Sequence, residues 1–109
     1  MGSHGLAEVG GIIRHCIRNA DVSARYGGEE FISYLAETDQ AGAHMAAERI
    51  RKSIEEHTFV LDDVSIGVNI SIGVSTAPQH GTTLKELVGK ADAALYKAKE
   101  TGRNRVCLA

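Results

Sequence analysis

The pattern of apolar and polar residues predicts a helix and then a β-hairpin in the first third of the chain. Apolar residues recur at helical spacing over 6–17, which is typical of an amphipathic helix. Apolar and polar residues alternate over 22–26, and a second β-prone run covers 31–35. Gly27 and Gly28 lie between these runs, so a hairpin with a glycine turn is expected.

A second helix is expected after Thr38 or Asp39, because either residue can cap a helix N-terminus. It ends near His57. Its apolar stripe comprises Ala43, Ala46, Ala47, Ile50 and Ile54. A half-buried strand is expected over 64–75, with one apolar face (Val68, Ile70, Ile72, Val74) and one polar or small face (Asn69, Ser71, Gly73, Ser75).

The last third of the chain predicts a third helix and a short final strand. Thr83 and Glu86 have the spacing of a capping box, and Gly102 is expected to end the helix. A strand over 105–108 follows. The fold class predicted is therefore α+β, an α/β sandwich of helices on a mainly antiparallel sheet. Residues 5–109 form one domain, and residues 1–4 are interpreted as a tag remnant.

Composition narrows the class of protein. With a net charge of −2 the chain has no overall positive electrostatic field that would attract a nucleic acid polymer or an anionic bilayer. The sequence has no apolar run near the roughly 20 residues that a membrane span needs, so a cytoplasmic location without direct membrane contact is expected. Cys16 and Cys107 have no metal-ligand spacing and are predicted to be buried free thiols.

The turn of the predicted hairpin is the first candidate site. Gly27, Gly28, Glu29 and Glu30 place two flexible residues beside two carboxylates. Such a turn brings main-chain N–H groups close to a phosphate chain and offers hard oxygen ligands to Mg²⁺, as nucleotidyl transfer requires. The alternative is an ordinary hairpin turn with solvated glutamates.

Two further groups of charged residues have both a functional and an ordinary interpretation. Lys99 and Arg103 are four residues apart at a helix end, where they either grip an anion from one face or complement the helix dipole. Arg18 and Asp21 either bind a ligand or form a solvated helix end. Arginine can bind phosphate bidentately, and a carboxylate can accept from a guanine edge.

Three segments together resemble the GGDEF family of bacterial diguanylate cyclases, in its GGEEF form. They are the hairpin turn over 25–31, the strand over 68–75, and the ending over 91–105, and the resemblance extends over 6–106. It implies that two GTP molecules, one on each subunit of an antiparallel homodimer, condense to cyclic di-GMP with release of pyrophosphate. The implied cofactor is Mg²⁺ or Mn²⁺.

The resemblance also implies roles for individual residues. Glu29 would be a metal ligand, Glu30 would lie by the attacking hydroxyl, and Gly27 and Gly28 would follow the phosphates. Lys99 and Arg103 would hold terminal phosphate oxygens. An inhibitory cyclic di-GMP site would be formed by Arg18, Asp21 and Arg49.

The resemblance is incomplete at the start of the chain. The family's first strand, with its metal-binding aspartate, and the following guanine-binding residues have no counterpart here, so this chain alone is expected not to turn over GTP. An open strand edge is expected, with swapped or edge-paired dimers. Three alternatives to the cyclase remain: a non-catalytic cyclic di-GMP receptor, a structural or oligomerising remnant, and a palm-type polymerase or class III cyclase, which the turn and the ending disfavour.

Overall fold

The computed structural model describes residues 3–17, 22–25 and 31–109. Within these ranges three helices alternate with strands, as the hydrophobic pattern predicts. The helices are α1 (Ser3–Cys16), α2 (Gln40–Glu56) and α3 (Leu84–Glu100). The strands, in chain order, are β1 (Val22–Arg25), β2 (Phe31–Tyr34), β3 (Thr58–Leu61), β4 (Val64–Gly67), β5 (Ile72–Val74) and β6 (Val106–Leu108).

The described strands form three pairs. β1 pairs with β2 and β3 pairs with β4, both antiparallel, whereas β5 and β6 are parallel. The predicted hairpin and final strand are confirmed, and the α+β class is confirmed as well. Helix α1 begins at Ser3, within the segment interpreted as a tag remnant; the assignment of residues 1–4 to a tag stays a prediction.

Both predicted helix starts are confirmed by their caps. The Asp39 carboxylate accepts from the Gly42 N–H at 2.8 Å and begins α2. At α3 the Thr83 hydroxyl accepts from the Glu86 N–H at 3.2 Å, and the Glu86 carboxylate accepts from the Thr83 N–H at 3.1 Å. These reciprocal bonds satisfy donors that a helix N-terminus leaves without partners.

The single strand predicted over 64–75 is wrong in two respects. Residues 68–71 separate β4 from β5, and β4 pairs with β3, a strand that the pattern over 58–61 did not predict. The face with Gly73 and Ser75 is also covered by protein. A Cβ at Gly73 would lie 2.1 Å from the Ala91 carbonyl oxygen of α3, and the Ser75 hydroxyl donates to Leu87 O at 2.6 Å.

The core lies between α1, α2 and β3. Its buried members are Val9, Ile13, Cys16, Ile50, Ile54 and Phe59. Ile72 of β5 packs against this cluster, whereas neighbouring Gly73 faces α3. Because successive strand residues point to opposite faces, α2 and α3 cover opposite sides of β5. Both cysteines are free as predicted; Cys16 is buried and Cys107 is partly exposed.

Candidate functional site

The ending of α3 determines where the two predicted phosphate-binding cations lie. The helix ends at Glu100, the next residue caps it, and Gly102 has φ 132°. The N–H of Arg103 then donates to the Ala98 carbonyl at 2.9 Å, the six-to-one bond of a Schellman ending. The prediction that Lys99 and Arg103 share one helix face is therefore wrong, because Arg103 lies beyond the helix.

The turn that carries Arg103 has an unusual backbone. Arg103 and Asn104 have φ 61° and 45°, so two consecutive residues with a Cβ occupy the left-handed region. This conformation costs about 1–2 kcal/mol per residue for most side chains, and asparagine tolerates it best. Main-chain bonds hold the turn at both ends, since Arg105 O accepts from the Ile72 N–H at 2.9 Å.

A network on α2 holds the same turn from the side. The Arg51 guanidinium donates to both carboxylate oxygens of Glu48, each at 3.1 Å, and to the Asn104 side-chain oxygen at 3.2 Å. The Asn104 amide in turn donates to Glu55, which also lies 3.7 Å from Arg51. We call Arg51, Glu55 and Asn104 the turn clamp.

Charge pairing orients the central arginine of this network. The hydrogen bond from Arg51 lowers the pKa of Glu48, and Glu48 raises the pKa of Arg51. Glu48 and Glu55 lie one helical turn on either side of Arg51, so both carboxylates reach one guanidinium. No role was predicted for Arg51 or Glu55 from the sequence, although their spacing of four residues is typical of an ion pair on one helix face.

Arg49, predicted for the inhibitory site, is anchored by its side chain. Its guanidinium donates to the Cys16 carbonyl oxygen at 2.9 Å. Cys16 is the last residue of α1, where carbonyl groups have no partner within the helix. Arg49 therefore fastens α2 to the end of α1, two residues before Arg18. Arg18 and Asp21 lie outside the described residues.

The hairpin turn with the two glutamates is bracketed by described strands. Gly27, Gly28, Glu29 and Glu30 lie outside the described residues, but Arg25 pairs with Phe31 on either side of them. Phe31 is half-buried and packs against α1. A Cβ at Gly10 would lie only 3.2 Å from its ring, so a glycine allows this close approach. The hairpin is thereby fixed to α1 at the point where the turn ends.

Other features of the described residues lie away from these groups. An open cleft of about 440 Å³ at the start of α2 contains none of the predicted site residues; it is lined by Asp39, Gln40, Ala41, His44, Gln79 and Leu108. Residues 3–17, 22–25 and 31–109 contain no group of three or more His, Cys, Asp or Glu that could hold a metal ion. None of their helices is sufficiently long and apolar to span a membrane.

Comparison with known proteins relates this arrangement to one family. The family model described as diguanylate cyclase, GGDEF domain, matches residues 1–105. Diguanylate cyclase A of Treponema denticola is 52% identical over 103 residues, which cover 94% of this chain and 28% of that protein. The chain thus spans less than a third of the length of this relative.

Solved structures of the family have the same fold. The active GGEEF domain of a diguanylate cyclase from Vibrio cholerae is 33% identical, with a TM-score of 0.83 over 96% of this chain and 66% of that one. The GGDEF domain of DgcB from Caulobacter crescentus, in complex with c-di-GMP, is 26% identical, with a TM-score of 0.87 over 96% and 63% of the two chains. The chain therefore belongs to the family of diguanylate cyclase GGDEF domains.

Proposed function

We propose that this chain is the nucleotidyl-transfer domain of a diguanylate cyclase, which joins two GTP molecules into cyclic di-GMP. In each of two transfers the 3′-oxygen of one GTP forms a bond to the α-phosphorus of the other. The bond from that phosphorus to the bridging oxygen breaks, and pyrophosphate leaves. The hydroxyl proton passes to a nearby carboxylate, a role that we assign to Glu30.

The observation that carries this proposal is the Gly-Gly-Glu-Glu sequence in the short connection of a defined hairpin. The Arg25 and Phe31 pairing closes β1 and β2 around residues 26–30, and the Phe31 contact with Gly10 fixes the hairpin to α1. Because this connection is held at both ends, its two carboxylates are suited to binding a ligand at one defined position. The active GGEEF domain from Vibrio cholerae supports the same assignment.

The donor set fits the proposed metal. Mg²⁺ prefers oxygen ligands and is usually bound by one or two carboxylates together with phosphates and water. Glu29 and Glu30 supply such carboxylates, and Mn²⁺ accepts the same ligands. We assign Glu29 as the protein ligand. The bound ion would polarise the reacting phosphate and stabilise its developing charge. Gly27 and Gly28 would leave room for the phosphates beside the main chain.

The C-terminal cations complete the proposed GTP site. The side chains of Lys99 and Arg103 are exposed and form no hydrogen bond or ion pair with another described residue. They are thus available to an anion. We assign them to the terminal phosphate oxygens of GTP, where a guanidinium can form two parallel hydrogen bonds. One GTP on each subunit of a homodimer would bring the two reacting groups together.

We further propose that cyclic di-GMP binds at Arg18, Asp21 and Arg49. The c-di-GMP complex of the DgcB domain supports product binding by this fold. In this chain Arg49 links α2 to the end of α1, directly before the segment with Arg18 and Asp21. The two arginines would bind phosphates and Asp21 would accept from guanine. A product bound here would act as an inhibitor.

The test is turnover of GTP by the whole protein with Mg²⁺, followed by chromatography. Glu29→Gln removes the metal-binding charge and keeps the shape of the side chain, so turnover should fall roughly a hundredfold or more. Glu56→Gln is the matched control, because Glu56 is an exposed carboxylate of α2. Unchanged turnover in Glu29→Gln would contradict the assignment. Cyclic di-GMP binding by wild type without any turnover would support the receptor alternative.

The same assay can be applied to the 109-residue chain by itself. We expect this chain alone not to convert GTP, because by the resemblance the family's guanine-binding residues and first metal-binding aspartate have no counterpart in it. Product formed in proportion to the amount of the chain, and abolished by Glu29→Ala, would overturn that prediction. Product insensitive to Glu29→Ala would point to a contaminating cyclase.

A further inference from the structure

We propose that Arg51 is a positioning residue for phosphate binding, which acts by holding Asn104 and thereby the backbone of Arg103. This inference rests on the proposed function, because it concerns the arginine assigned to the GTP phosphates. Arg51 itself faces the turn from α2 and is half-buried, with 18% of its side chain exposed. It therefore acts on the ligand through the turn clamp.

Arg103 has a backbone conformation that a residue with a Cβ disfavours. Its φ is 61°, and that of Asn104 is 45°. The local conformational energy would fall if this backbone relaxed, so other contacts must hold it in place. The bonds from Arg103 N–H to Ala98 and from Ile72 N–H to Arg105 fix the two ends of the turn. Asn104 lies between them, and its side chain is held by Arg51 and Glu55, the other two members of the turn clamp.

Both polar atoms of the Asn104 side-chain amide form hydrogen bonds. Its oxygen accepts from Arg51 at 3.2 Å and its nitrogen donates to Glu55. This pair of bonds defines the orientation of the amide, and hence of the backbone next to Arg103. Glu48 supports the arrangement, because its bidentate pair with Arg51 leaves the third guanidinium nitrogen directed at Asn104.

A fixed backbone limits the positions that the exposed side chain of Arg103 can reach. The Arg103 side chain is long and has no partner among the described residues, so only its attachment to the main chain is constrained. If the main chain moves at this point, the guanidinium samples more positions. Binding a phosphate then costs more conformational entropy. Holding the backbone in the bound conformation lowers this cost. Loss of Arg51 should therefore weaken phosphate binding only where Arg103 takes part in it.

The experiment is a double-mutant cycle on the affinity of the whole protein for a non-hydrolysable GTP analogue, measured by calorimetry with Mg²⁺. Arg103→Ala should weaken binding roughly tenfold or more. Arg51→Ala should weaken it roughly threefold to tenfold. The double variant should bind no more weakly than Arg103→Ala alone. A general loss of structure would instead lower the affinity of both backgrounds equally.

Two further variants separate the clamp from other effects. Asn104→Gly adopts the left-handed backbone without strain but loses both side-chain bonds, so it should match Arg51→Ala. Lys52→Ala removes an exposed cation from the same helix and should bind like wild type. Thermal unfolding of each variant measures its stability independently of the ligand.

The outcomes distinguish this inference from the proposed function. Wild-type affinity in Arg103→Ala would overturn the phosphate role of Arg103, and with it both proposals for this turn. Weaker binding in Arg103→Ala, together with wild-type affinity in Arg51→Ala or full additivity in the double variant, would overturn the positioning role alone. Non-additive losses, matched by Asn104→Gly, would support it.

Discussion

Two halves of this domain are packed by opposite means. In the first, α1 and α2 enclose branched side chains and Phe59, and Ile54 is completely buried. In the second, α3 lies against β5 through small residues, with Gly73 beneath the helix backbone and only Ala94 and Ala98 of α3 buried. The first half is stabilised by filled volume, whereas the second requires close approach of main chains.

The same contrast applies to the two arginines with proposed ligands. Arg49 in the first half is fixed by its guanidinium, which donates to Cys16 O. Arg103 in the second half is fixed by its backbone, and its side chain remains exposed. Preorganisation thus acts on the binding group itself in one case and on its point of attachment in the other. Substitutions should have different consequences in the two halves.

The largest expected effect comes from removing volume in the first half. Ile54→Ala leaves a cavity among fully packed neighbours and should lower the free energy of unfolding by about 4 kcal/mol. Denaturant unfolding measures this difference. Ile66→Ala, on the exposed β4 strand, is a control of the same chemistry and should change stability far less. Similar losses in both variants would show that the core is not centred between α1 and α2.

Adding volume should be the damaging change in the second half. The Cβ of Gly73→Ala would lie 2.1 Å from Ala91 O and 2.4 Å from Leu95 N, so α3 has to move away from β5. We expect a loss of about 3 kcal/mol in the free energy of unfolding. Gly89→Ala is the matched control, because a Cβ there meets no atom within 4 Å and alanine favours the helix. A stability of Gly73→Ala equal to wild type would contradict the close approach.

The sequence predicted the helices and caps well because their signals are local. Asp39, Thr83, Glu86 and Gly102 each act within one turn of their own position. The β3 and β4 hairpin was missed because Asp62 and Asp63 form its two-residue turn with φ of 51° and 65°, in place of the usual glycine.

Other features depended on contacts between distant residues. Alternation over 64–75 continues through residues 68–71, so the pattern gave no sign that two strands are separated there. Gly73 was assigned to a polar face because the sequence does not show that α3 covers it. The bond between Arg51 and Asn104 joins residues 53 positions apart and was equally hidden. Six predicted site residues lie outside the described residues and stay predictions.

Replacing Arg49 tests whether an anchored side chain also binds ligand. Arg49→Ala removes a charged hydrogen bond to the end of α1 and one proposed phosphate ligand. Cyclic di-GMP binding should weaken by about 1.5 to 3 kcal/mol, tenfold or more. Calorimetric titration of wild type, Arg18→Ala, Asp21→Ala and Arg49→Ala should show losses in all three variants. Lys52→Ala serves as the control, and equal affinity in every variant would refute the inhibitory site.

The smallest expected effects separate the two helix starts. Thr83→Ala removes half of the capping box of α3, and Asp39→Ala removes the single cap of α2. Each should lower the free energy of unfolding by about 1 kcal/mol near pH 7. Thr83→Ser and Asp39→Ser should keep most of the stability that the alanine variants lose, since the serine hydroxyl is an equivalent acceptor. No change in either alanine variant would mean that the caps do not contribute.

The pH dependence of the α3 start distinguishes charge from hydrogen bonding in the capping box. Backbone N–H donation from Thr82, with further bonds from Thr83, lowers the pKa of Glu86 from its ordinary value of 4.5. A depressed carboxylate pKa means that the folded state favours the ionised form. Its contribution is therefore present above pH 4.5 and is lost as the pH falls through the lowered pKa.

Glu86→Gln keeps an acceptor but has no charge, so its stability should fall below that of wild type at pH 7. The two proteins should converge in acid, as measured by denaturant unfolding at a series of pH values. A difference between them that stays constant from pH 7 into acid would show that the Glu86 charge does not stabilise the start of α3.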